Sequence, residues 1–103
     1  SYDADLQQTK QILTEIINND ERVLKDQDNT VAVSELADSS VNFVVRPWVN
    51  SADYWPTYFD LMEQIKISLD DAGIEIPYPQ MSLHLNNAMH FMSFNVTSKD
   101  SSI

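Results

Sequence analysis

Residues 73–86 read GIEIPYPQMSLHLN and open on the only glycine among 103 residues. Two β-like runs, Ile74-Glu75-Ile76 and Met81 to Asn86, flank Pro77-Tyr78-Pro79. Proline has no N–H to give to a ladder and fixes its own φ, so the stretch is not one continuous central strand. The chain ends one strand, stiffens for three residues and begins another. That order predicts a second strand lying outside the domain's own sheet.

The rest of the chain supplies the elements around this elbow. Leu6, Ile12, Leu13, Ile16 and Ile17 recur at helical spacing and predict an amphipathic helix over residues 4–18, capped by Asp3. Asn18-Asn19-Asp20-Glu21 has the composition of a helix exit. Residues 30–36 form a short β run with Val31 and Val33 on one face. Residues 37–40 make a turn, and residues 41–49 are the strongest strand in the sequence. Its odd positions, Val41, Phe43, Val45 and Val49, predict a face packed on the helices. Its even positions, Asn42, Val44, Arg46 and Trp48, are too apolar for free solvent and too polar for a dry core, and mark a candidate interface. Asp53 caps a second helix carrying Trp55, Tyr58, Phe59, Met62, Ile65, Leu69 and Ala72 at helical spacing. Gly73 follows where a left-handed C-cap residue is wanted. Beyond Asn86 the periodicity weakens and the composition suits a loose tail. Helix, strand, strand, helix, strand becomes β-α-β-β-α-β, the ferredoxin-like α+β arrangement, once a strand is added before residue 1.

The chemistry that this composition permits is narrow. There is no cysteine, hence no disulfide, thiolate nucleophile or cysteine metal site. His84 and His90 lack a third ligand for zinc. Asp26-Gln27-Asp28-Asn29 begins like a calcium loop, but Val31 and Ala37 stand where glycine and a bidentate glutamate are needed. No phosphate loop, nucleophile elbow or cofactor motif is present. Sixteen acidic residues against six Lys and Arg give a net charge of −10, which disfavours nucleic acid and anionic lipid as partners. No apolar run approaches the roughly 20 residues of a membrane span, and no signal peptide is present.

Three stretches read together resemble the cytoplasmic C-terminal α/β domain of the small-conductance mechanosensitive channel (MscS) family: YDADLQQTKQIL, DERVLKDQDNTVAVSELADSSVNFVVRPWVNSADYWPTYFDLMEQIK and DDAGIEIPYPQMSLHL. The likeness runs from Tyr2 to about Leu85, with SSVNFVVRPW and AGIEIPYPQ its most specific parts. The resemblance implies a homoheptameric, non-enzymatic channel of the cell inner membrane, without cofactors. It opens under tension and releases ions and small solutes on osmotic downshock. Its transmembrane helices would lie upstream of this chain, which would stand on the cytoplasmic side as part of a hollow cage. The resemblance also implies that residues 1–79 form the ferredoxin-like domain, with its first strand missing. Residues 80–88 would be a strand for a parallel β-barrel between subunits, through Met81, Leu83 and Leu85. Pro77, Tyr78 and Pro79 would be the elbow between them, and 89–103 is a tail of unknown role.

Two departures bear on function. Ala37 stands where the family often has glycine, and Asn86-Asn87-Ala88 replaces basic residues common after the barrel strand. With Asp20, Glu21, Asp26 and Asp28 clustered near one loop, the cage is expected to favour cations, or to prefer anions less than relatives with basic cages do; the alternative is that these carboxylates face bulk water outside it and serve solubility. The rival reading is a free-standing ferredoxin-like regulatory or ligand-binding module. A third, an acyl-phosphatase-like enzyme, rests only on Arg46 and Asn42 as an anion-binding pair.

Overall fold

The computed structural model describes residues 2–36, 40–76, 80–86 and 89–99. Helix α1, Tyr2–Asn19, buries Thr9, Leu13, Ile16 and Ile17 along one stripe. It begins before Asp3, which therefore lies within the helix and does not cap it. Strands β1, Thr30–Leu36, and β2, Ser40–Arg46, pair antiparallel, with an irregularity between Val33 and Glu35. The connection 37–39 is outside the described residues. Pro47 interrupts the long predicted strand, and β3, Trp48–Asn50, resumes it. Burial alternates through the break: Val41, Phe43, Val45, Pro47 and Val49 are buried while Arg46 and Asn50 are exposed.

A single 3-10 turn, Ser51–Asp53, leads into α2, Tyr54–Asp71. Asp53 occupies the N-cap position, but its side chain makes no capping hydrogen bond. The buried stripe of α2 is Tyr54, Thr57, Leu61, Ile65 and Leu69. Ile65 and Leu69 fall where the spacing placed them and Tyr58, Met62 and Ala72 pack against the core, but Tyr54, Thr57 and Leu61 complete the stripe and Trp55 and Phe59 turn outward, 51% and 61% exposed. The helix closes in a Schellman motif. The Ile74 N–H donates to Leu69 O (2.9 Å) and the Gly73 N–H to Asp70 O (3.0 Å), with Gly73 at φ +77°. Residues 74–76, expected as a strand, are irregular. Ile74 and Ile76 anchor them in the core, and Lys66 Nζ donates to Ile76 O at 2.8 Å.

The largest departure from expectation is at the C-terminal end. Strand β4, Gln80–Asn86, turns back into an antiparallel pair with β5, Met89–Lys99, in this same chain. The predicted strand outside the domain's sheet is thus inside it, and the predicted loose tail is the longest strand. Burial supplies the reason: Met92, Phe94 and Val96 alternate along β5 and are fully buried against the helices. On its other edge β5 pairs with β2 and then β3 in one unbroken register, Val45 opposite Phe94 and Trp48 opposite Phe91. At the break the Met92 N–H donates to the Pro47 carbonyl (3.2 Å), so the proline's missing N–H interrupts only one side of the exchange.

With β2 and β3 taken as one interrupted strand, the sheet runs β1, β2/β3, β5, β4, every neighbour antiparallel. Strand β4 runs parallel to β2, with α2 crossing between them and β5 filling the gap. Strand β5 runs parallel to β1, the strand that follows α1. The fold is α+β and ferredoxin-like, with both helices against one face of the sheet.

Candidate functional site

Five groups of residues were candidates on sequence grounds, and the structure describes four of them. On the sheet face away from the helices, Asn42 Nδ2 donates to Glu35 Oε2 (3.3 Å), and Ser34 Oγ donates to the Asn42 carbonyl (3.2 Å). Val44 and Trp48 are half-buried and Arg46 is exposed. The Trp48 ring lies 4.9 Å from that of Phe91, a residue outside every sequence-derived candidate set. Asn42 and Arg46 sit four positions apart on one strand, about 13 Å, and a carboxylate already occupies Asn42. They do not converge on a phosphate, which removes the ground for an acyl-phosphatase-like site.

The acidic loop is not one cluster. The Asp20 side chain is only 6% exposed and receives three hydrogen bonds from Arg22: from the backbone N–H (2.9 Å), Nε (3.0 Å) and Nη2 (2.7 Å). Hydrogen bonding from the Arg22 side chain holds the Asp20 carboxyl below its ordinary range, against the opposing effect of burial. Arg22 Nη1 reaches Asp60 Oδ2 on α2 at 3.0 Å, and these carboxylates raise the guanidinium's own pKa. Lys25 Nζ donates to the carbonyls of Asp20 and Val23. Glu21, Asp26 and Asp28 are exposed. The cleft beside them, about 310 Å³, is lined by Asn19, Asp20, Glu21, Arg22 and Gln64. Its one cation is already bound by two carboxylates, so it has no free positive charge for an anionic ligand.

Met81 packs against the domain's own core, its sulfur 3.5 Å from the Tyr54 hydroxyl. Leu83 and Leu85 are opposite Met92 and His90 in the backbone register. Pro77, Tyr78 and Pro79 lie outside the described residues. Gly73 ends α2 in the left-handed conformation. Among the described residues, β1 and β4 are the sheet's two edges. Edge β1 carries Glu35 and an irregularity, features that discourage further pairing. Edge β4, QMSLHLN, carries neither an acidic nor a lysine or arginine residue. An uncharged edge strand is a surface suited to pairing with another chain.

Comparison with known proteins agrees with the α+β fold. Residues 1–76 match the family described as "Mechanosensitive ion channel MscS, C-terminal". The small-conductance mechanosensitive channel of Edwardsiella ictaluri is 49% identical over 89 residues, covering 86% of this chain and 31% of that protein. An uncharacterized MscS family protein of Buchnera aphidicola subsp. Baizongia pistaciae is 47% identical over 85 residues (82% of this chain, 30% of the relative). One from Archaeoglobus fulgidus is 36% identical over 88 residues (85% and 31%). The chain thus spans under a third of the length of these curated relatives. The α+β fold and the match over residues 1–76 agree, and the chain belongs to the MscS family of mechanosensitive ion channels, within its C-terminal domain.

Proposed function

We propose that this chain is the lower wall of the cytoplasmic cage of a channel that opens under membrane tension. The channel releases ions and small solutes on hypoosmotic shock. The observation that carries this reading is the family match over residues 1–76, with 49% identity to a protein named as a small-conductance mechanosensitive channel. Among the described residues no helix is long and apolar enough to cross a membrane. On the family likeness, and with under a third of the relatives' length covered, gating and tension sensing are assigned to residues outside this chain, in the inner membrane, and this domain to the cytoplasmic side. Copies assemble as a homoheptamer, in which Gln80–Asn86 from each copy joins a parallel barrel around Met81, Leu83 and Leu85, and Pro77, Tyr78 and Pro79 redirect the chain. The uncharged character of edge β4 supports this use. Asn42, Val44, Arg46 and Trp48 lie on the sheet face opposite the helices, where a neighbouring copy can cover the half-buried Val44 and Trp48.

The test is expression of the full-length protein in bacteria stripped of their own mechanosensitive channels. Survival of osmotic downshock and tension-activated currents in excised patches are the expected results. Lack of protection together with silent patches, despite membrane insertion, overturns the reading.

A further inference from the structure

We propose that the solvent side of α2 is a docking surface for a basic amphipathic helix of another protein. This rests on the residues of α2 and not on tension gating, which the shock assay tests separately.

The first observation is apolar. Trp55, Phe59 and Ile67 are 51%, 61% and 50% exposed, and all three lie outside the buried stripe of α2. The rings at its first turns touch one another. Trp55 lies 6.0 Å from Phe59 and 5.7 Å from Tyr58, and Tyr58 lies 5.2 Å from Phe59, between ring centroids. A lone exposed ring is ordinary on a protein surface, but rings in mutual contact form a patch. Trp55, Phe59, Glu63 and Ile67 recur every four residues, so they sit on successive turns. From Trp55 to Ile67 the stripe runs about 18 Å along the axis. That length suits a partner helix of roughly three to four turns, packed at an interaxial distance of about 8–10 Å.

The second observation is charge, and it selects the occupant. Helix α2 and its cap carry Asp53, Asp60, Glu63, Asp70 and Asp71 against a single cation, Lys66. That lysine is already committed: Nζ lies 3.3 Å from Asp70 Oδ1 and donates to Ile76 O at 2.8 Å. Glu63, in the middle of the apolar stripe, and Asp71, at its far end, are both exposed. A second copy laid against this face would set acid against acid, which opposes association. An anionic lipid surface is repelled on the same ground. A basic helix meets neither obstacle. Its Lys or Arg heads reach Glu63 and Asp71, while their stems and the apolar residues between them cover the rings. A guanidinium or ammonium over the Trp55 ring adds a cation–π contact. Such a partner presents apolar anchors at helical spacing with basic residues beside them. The chain's net charge of −10 would speed its approach.

The test uses the 103-residue chain and a fluorescently labelled synthetic peptide built only of Leu and Lys. The peptide is about 18 residues long, with Leu at helical spacing on one face, so that it can hold a helix. Anisotropy at low ionic strength should show saturable binding. A matched peptide with Glu in place of every Lys should not bind. In a Trp48→Phe background, binding of the Lys peptide should shift the remaining Trp55 emission to shorter wavelength. Trp55→Ala with Phe59→Ala should weaken binding by about tenfold or more. Glu63→Gln with Asp71→Asn should weaken it and flatten its salt dependence. Ile67→Lys, at the other end of the stripe, should weaken it without touching the rings, and circular dichroism checks that each variant is folded. No binding of the Lys peptide overturns the proposal. So does equal binding to the folded ring variant, which would make the peptide a plain counter-ion of an acidic chain. Self-association of the chain that the ring substitutions abolish would assign the face to a second copy, and also overturns it.

Discussion

Arg22, in the turn after α1, meets Asp60 on α2: Arg22 Nη1 lies 3.0 Å from Asp60 Oδ2, while the same guanidinium grips the nearly buried Asp20. The two ends of this bridge are unequal. Asp60 is more than half exposed, so its pairing is screened and contributes under about 1 kcal/mol. Loss of Arg22 strands a carboxylate that is out of solvent and costs about 2 kcal/mol or more. Urea denaturation should therefore rank Arg22→Ala well below Asp60→Asn in stability. Equal losses would show that the α2 contact, and not burial of Asp20, dominates.

The same pair sets an acid limit. Asp20 has a lowered folded pKa, with Arg22 hydrogen bonding the largest cause. Its contribution to stability is complete above the unfolded aspartate's range, about pH 4, and is lost as pH falls through the lower folded value. Asp20→Asn should flatten the acid limb of a plot of melting temperature against pH. An acid limb unchanged by the substitution would assign the loss to other carboxylates.

Gly73 isolates a backbone effect from a packing effect. An added Cβ meets nothing within 4 Å, so only the φ of +77° opposes a side chain. Gly73→Val should cost about 1–2 kcal/mol, and Gly73→Asn less, because asparagine tolerates the left-handed region. Matching thermal melts for the two variants would show that the motif relaxes to another ending.

Local pattern predicted some of this fold and tertiary pairing determined the rest. The alternation of Val41, Phe43, Val45 and Val49 is a period-two signal, and all four are buried. Gly73 was legible because one glycine in a chain this long falls where a helix needs it. On α2 the spacing found Ile65 and Leu69 in the core and Tyr58, Met62 and Ala72 packed against it, but it misassigned Trp55 and Phe59, since adjacent aromatics at Tyr54-Trp55 and Tyr58-Phe59 fit two neighbouring faces equally well. Met92, Phe94 and Val96 also alternate, but Met89 and Phe91 mask the period. No local signal says that a strand from the far end of the chain will fill the sheet's interior. The Arg22–Asp60 bridge was invisible for the same reason, because it depends on how α2 lies beside α1.

Thr57 offers a stabilising change. Its hydroxyl is buried on α2 and, among the described residues, has no hydrogen-bond partner. An unmet buried hydroxyl carries a desolvation cost, and Thr57→Val replaces it with a methyl of similar shape. The variant should gain about 1 kcal/mol. A loss in chemical denaturation would show that the hydroxyl is satisfied in solution.

The acidic loop leads to a prediction about permeation in the assembled channel. A cage wall of one sign concentrates counter-ions and depletes co-ions near its openings, within a Debye length of about 8 Å at physiological salt. The four carboxylates named from sequence differ in their capacity to do this. Asp20 is neutralised locally by Arg22, whereas Glu21, Asp26 and Asp28 are exposed. Only those three project charge into solvent. Neutralising Glu21, Asp26 and Asp28 together should move the reversal potential of the full-length channel, measured in a salt gradient, toward that of a less cation-favouring pore. Asp20→Asn should lower stability, and because it uncovers the Arg22 charge it is no silent control for permeation. If the triple variant leaves the reversal potential unshifted, these carboxylates face bulk water outside the conduction path, and the acidity serves solubility alone.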